Sequence, residues 1–144
     1  MNKRIVIGIL AVFVAWQVLD FVLHGLVLAS TYRQTAELWR PMVEMKMGLM
    51  RVVGLVASVC FVCLYAWLVR PKSWAAGLSY GLIFGAANGF SMGFGTYSVM
   101  PLPESLAVAW CIGTIVETAV AGLLVGWIVK DAPGITSLVE AASA

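Results

Sequence analysis

Charge is scarce in this chain: Asp, Glu, Lys and Arg make up 11% of its 144 residues, against 62% that are hydrophobic. A soluble domain carries about a quarter of its residues as charges, so the composition excludes an ordinary soluble fold and indicates an integral membrane protein. The formal net charge of +2 is too small, and its cations too scattered, for a nucleic-acid face. Three cysteines cannot all pair with one another, and their spacing is not that of a disulfide-rich domain. Also missing are a phosphate loop, a nucleophile elbow, a His-Glu-x-x-His motif and a dinucleotide fingerprint. No soluble domain fits either, because the longest polar connection is only TYRQTAELWRP.

The apolar residues fall into four runs, about 5–30, 42–69, 74–100 and 106–129. A hydrocarbon layer of about 30 Å takes roughly 20 helical residues, and each run is long enough. Pro41, Pro71, Pro101, Pro103 and Pro133 lie between or beyond the runs, where a missing amide donor interrupts no helix. The expected fold is one all-α integral membrane domain over 1–144. Its four transmembrane helices form an up-down bundle, followed by a short tail over 130–144. Lys3, Arg4, Arg70, Lys72 and Lys130 collect on the side of the N-terminus and outnumber Arg33, Arg40 and Lys46 on the other, which predicts both termini in the cytoplasm. Trp67, Trp74 and Trp127 mark the inner interface, and Tyr32, Trp39 and Tyr97 the outer one. The first run resembles a signal peptide, but its apolar length favours a retained helix.

Within the third run, Gly77, Gly81, Gly85, Gly89 and Gly93 recur every four residues. Each step advances the row by about 40°, giving a shallow groove that winds around the helix and admits another backbone closely. A glycine-zipper contact is expected, within the chain or between copies. The partner row expected on the fourth helix is Ala109, Gly113, Glu117 and Ala121, with Gly122 and Gly126 beside its end.

Against this background, LDFVLHG stands out, with Asp20 and His24 four positions apart in an apolar helix. At 1.5 Å per residue, Asp20 lies about 5 Å and His24 about 10 Å outward of the midplane. Arg51 falls near the depth of His24, and Asn88 and Glu117 fall near the midplane. An unpaired charge at the centre of a bilayer costs about 2.5–3.5 kcal/mol, so the five residues are expected to form one inward-facing cluster. Arg51 would pair with Asp20 or Glu117, and Asn88 would serve as helix glue. Such a cluster either fixes the packing of four helices or exchanges a proton.

Two further patterns carry less. Cys60 and Cys63 form a CxxC spacing inside a helix, away from the polar stripe, where buried cysteines act as small hydrophobes. MVEMKMGLM holds four methionines that could bind Cu(I), but Met45 and Met47 do not share one helical face with the others. No metal or cofactor is expected.

The order DFVLHG, LVLASTY, TAELWRPMVEMKMGLM and GLSYGLIFGAANG resembles a group of small four-helix bacterial inner-membrane proteins of unknown function. The resemblance implies a multi-pass location in that membrane and brings no activity, cofactor or catalytic residue. A likeness to small multidrug transporters is poorer. Those place an essential glutamate in the first helix, where this chain has Asp20, its own glutamate being in the fourth. The resulting expectation is a non-enzymatic membrane protein, either an accessory or a self-associating subunit. Its partners would be the lipid bilayer and further copies or a larger membrane complex, not nucleic acid. The alternatives are a small proton-coupled transporter using Glu117 and Asp20, and a membrane metal or redox protein.

Overall fold

The computed structural model describes residues 2–131; the tail expected over 130–144 lies almost wholly outside them. Within this range all regular structure is helical. Helix α1 spans Lys3–Asp20 and runs directly into a π-helical stretch, Phe21–Val27. A short helix α2, Ala29–Gln34, and two 3-10 turns, Ala36–Leu38 and Met42–Glu44, follow. Three long helices complete the chain: α3 (Met47–Leu68), α4 (Trp74–Tyr97) and α5 (Glu104–Ile128).

Local chemistry sets these boundaries. The Asn2 side chain accepts the Arg4 amide at 3.2 Å and opens α1, and Ser73 does the same for α4 through Ala76 at 3.0 Å, each satisfying a donor that the helix leaves free. Pro103 precedes α5, where its fixed φ is compatible with a helix start. The first run is not one straight helix: it widens into the π-helix after Asp20 and breaks at Leu28, where φ is −92° and ψ 0°. The second run begins its helix at Met47 and not at 42, because Pro41 and the 3-10 turn at Met42–Glu44 occupy its first residues.

The long helices alternate in direction. We call the end carrying Lys3 proximal and the end carrying α2 distal. Helix α1 packs against α3 and α5, and α4 packs along most of its length against α5. The proximal half is filled by Ile9, Val12, Phe61, Val62, Tyr65, Ala66, Ala121, Val125 and Val129. A smaller distal core joins Leu28, Leu102, Leu106 and Trp110 to Tyr32, Leu38 and Trp39. The TYRQTAELWRP connection therefore folds back onto the start of α5.

Three stretches are long and apolar enough to cross a membrane: Lys3–Val27, Met47–Leu68 and Glu104–Ile128. Helix α4 is as long, at 24 residues, but glycine contributes little hydropathy and Asn88 subtracts from it. Its glycines are instead the reason it fits. Gly77, Gly81, Gly85, Gly89 and Gly93 are all buried. A β-carbon added at Gly81 would collide with the Thr118 carbonyl oxygen, and one at Gly77 with the Gly122 carbonyl oxygen. The facing row on α5 differs from the expected one. It runs through Ala107, Cys111, Ile115, Thr118, Gly122 and Gly126, while Gly113 faces the other way, against Leu23 of the π-helix. The small side chains on α5 form two rows, and the one beside Gly122 and Gly126 takes α4.

Candidate functional site

Two of the expected cluster's five residues lie apart from it. Arg51 and Asn88 are exposed, and Arg51 forms no salt bridge among the described residues. Asn88 donates to the Phe84 carbonyl of its own helix at 2.9 Å. Arg51 does keep the phase of Ser58, seven residues on, but it is exposed and nothing among the described residues covers it. The glycine three residues earlier, Gly48, likewise has no atom within 4 Å of where a β-carbon would stand. The expected place of Arg51 in the cluster is not met, because the distal half of α3 is exposed at nearly every residue and does not close onto the other helices.

The other three gather between the two cores. Asp20 ends α1, one helical turn beyond Trp16 and two beyond Val12, both of which pack inward. His24 sits in the π-helix, its Nε2 3.9 Å from Asp20 Oδ1. Its Nδ1 is 2.5 Å from the Tyr32 hydroxyl, which also accepts the indole N–H of Trp110 at 2.8 Å. An indole nitrogen only donates, so the Tyr32 oxygen is the acceptor and its own hydrogen is free for His24. Burial pushes the Tyr32 hydroxyl above the ordinary phenol range, which keeps that hydrogen in place. With that hydrogen donated to Nδ1, the ring hydrogen falls on Nε2, which faces Asp20. The chain Asp20, His24, Tyr32, Trp110 thus links α1, the π-helix, α2 and α5.

Tyr32 and Trp110 were not among the expected site residues. Tyr32 reads as part of an interfacial belt, and that signal conceals its second role: α2 turns back so that a residue eight positions after His24 meets it again. The ring of Tyr32 stacks on His24 with centroids 5.8 Å apart and meets Trp39 edge-on at 5.5 Å. Trp39 in turn donates to Thr35 Oγ1 at 3.0 Å. The π-helix matters here because its wider turn offsets His24 from the direction an α-helix would give it.

Glu117 closes the site from α5. Its backbone carbonyl accepts the Trp16 indole N–H at 3.1 Å, tying α5 to α1. Its side-chain Oε1 is buried with no hydrogen-bond partner among the described residues. Besides its burial, the Asp20 carboxylate on α1 acts on it electrostatically. On the proximal side the site meets a dry wall, in which Val12, Phe61, Val62, Ala121 and Val125 are fully buried. On the distal side it stays open, the Asp20 and His24 side chains being 49% and 34% exposed.

The remaining candidate residues stay apart from this centre. Cys60 is exposed and Cys63 buried, so the expected pair of buried thiols holds for one only. Cys111 lies under Gly89 in the α4–α5 contact. Among the described residues no group of three or more His, Cys, Asp or Glu is placed to hold a metal ion.

No protein family, curated protein or solved structure matches the chain.

Proposed function

We propose that this chain is a non-enzymatic bacterial inner-membrane protein with four spans and both termini in the cytoplasm, and that its centre binds and releases protons. Three apolar helices support the membrane location, and α4, locked to α5 along its glycines, would complete the fourth crossing. The resemblance to small bacterial inner-membrane proteins agrees with this location.

The observation that carries the proton reading is the buried Glu117 Oε1, which has no hydrogen-bond partner among the described residues and feels the charge of Asp20. With Arg51 outside the centre, its charges are two carboxylates and one imidazole. Such a group becomes neutral only by taking up two protons, and a charge left unpaired at bilayer depth costs about 2.5–3.5 kcal/mol. Asp20, His24 and Tyr32 provide hydrogen-bonding groups leading from this centre toward the distal end. Assembly between copies through the glycine groove finds less support, because α5 of the same chain fills it.

Infrared difference spectroscopy during a pH jump tests the reading. The purified protein should show the carbonyl stretch of a protonated carboxyl that bleaches at high pH, and Glu117→Gln should remove it while the helical signal persists. A band unchanged in Glu117→Gln, or none in the parent protein, would sink the proposal. In proteoliposomes, coupled function further predicts that Glu117→Gln abolishes pH-dependent flux.

A further inference from the structure

The distal half of α3 and the turn before it are exposed throughout 40–53, with Met42 and Val43 at 78% and 94% exposure and Met47, Leu49 and Met50 above half. The same stretch holds Arg40, Lys46 and Arg51 against the single acid Glu44, and none of the three cations forms a salt bridge among the described residues. Arg51 stands four residues inside α3, about 6 Å from its start. Its aliphatic stem can lie along the apolar surface while the guanidinium reaches the level of Lys46.

We propose that this surface docks an anionic phospholipid, its phosphate held by Lys46 and Arg51 and its chains lying against Met47, Met50 and Leu55. Charge complementarity selects the occupant. A zwitterionic lipid brings no net charge to two free cations, and a partner helix would have to carry its own carboxylate to this depth. The same site accounts for cations on the side that the positive-inside bias leaves poor in them. The inference rests on the membrane reading above.

Native mass spectrometry in mild detergent, with titrated dioleoylphosphatidylglycerol and dioleoylphosphatidylcholine, tests it. Phosphatidylglycerol should bind more tightly, by roughly thirty-fold for two cations. The double variant Lys46→Gln, Arg51→Gln should bind both lipids alike, and Lys46→Arg, Arg51→Lys should keep the preference. Lys3→Gln, Arg4→Gln, altered at the proximal end, should also keep it. An unaltered preference in the Lys46→Gln, Arg51→Gln variant overturns the proposal, as does equal binding of the two lipids by the parent protein. So does displacement of the bound lipid by inorganic phosphate at low millimolar concentration, which would assign the cations to a free anion. A protein that stays monodisperse without detergent would instead overturn the membrane reading itself.

Discussion

Tyr32 is the residue on which the site's order depends, since its hydroxyl serves both the His24 ring and the Trp110 indole. Tyr32→Phe leaves two nitrogens without their partner in a partly buried place, where each unsatisfied group costs about 1–3 kcal/mol. Equilibrium unfolding in detergent should show a loss of about 2–6 kcal/mol for the two groups together, with a changed Trp110 fluorescence, while Tyr97→Phe, at an exposed position, should stay within about 0.5 kcal/mol of the parent. Asp131 offers a second prediction. It accepts from the Lys72 amide at 2.7 Å and from Lys72 Nζ at 3.0 Å, and Arg70 Nε lies 3.3 Å away. The Lys72 and Asp131 side chains are only 3% and 6% exposed, so Asp131→Ala strands a buried ammonium and should cost about 3–5 kcal/mol. Adding Lys72→Met should recover much of that loss; a full-sized loss in the double variant would mean that the ion pair is not its source.

Among the elements, the α4–α5 contact has the least tolerance. A β-carbon at Gly81, Gly85 or Gly122 would fall inside an atom of the opposite helix, so the helices must separate to admit any larger residue. Gly81→Ala should destabilise by about 1–3 kcal/mol, the usual range for overpacking. Gly48→Ala, with open space around it, should be neutral or stabilising by up to about 1 kcal/mol, because alanine orders a helix more readily than glycine. Equal effects at the two positions would remove the contact as the cause. The glycine row was legible because a four-residue period needs no knowledge of the partner; the partner row was not, because Gly113 and Gly122 carry the same signal on two faces of α5. Asp20, His24 and Glu117 were legible as polar residues in apolar helices. Arg51 shares that signal, and its exclusion follows from the exposure of the distal half of α3, which no local pattern encodes. Tyr32 and Trp110 escaped notice for the opposite reason, being residue types common at a membrane interface.

At the scale of the whole molecule, the polar centre is closed at one end. Val12, Phe61, Val62, Tyr65, Ala121 and Val125 are fully buried on its proximal side, and close packing of this kind leaves few gaps as large as a water molecule. Distal to it, α3 is exposed at nearly every residue, and the Asp20 and His24 side chains are themselves partly exposed. Under the proposed proton-binding role, a centre so arranged would exchange protons with the distal side, and passage to the other would require the wall around Phe61 to open. Access can be read by cysteine labelling in oriented vesicles, in a background where Cys60, Cys63 and Cys111 are alanine. Asp20→Cys should react with an impermeant maleimide added on the distal side and stay unreactive to the same reagent on the proximal side. Val12→Cys should be unreactive from both. Adding Phe61→Ala to Asp20→Cys removes from the wall the ring that packs against Trp16, Tyr80 and Phe84, and should admit the proximal reagent. Labelling of Asp20→Cys from both sides with Phe61 intact would show a continuous path, and the centre would then belong to a pore.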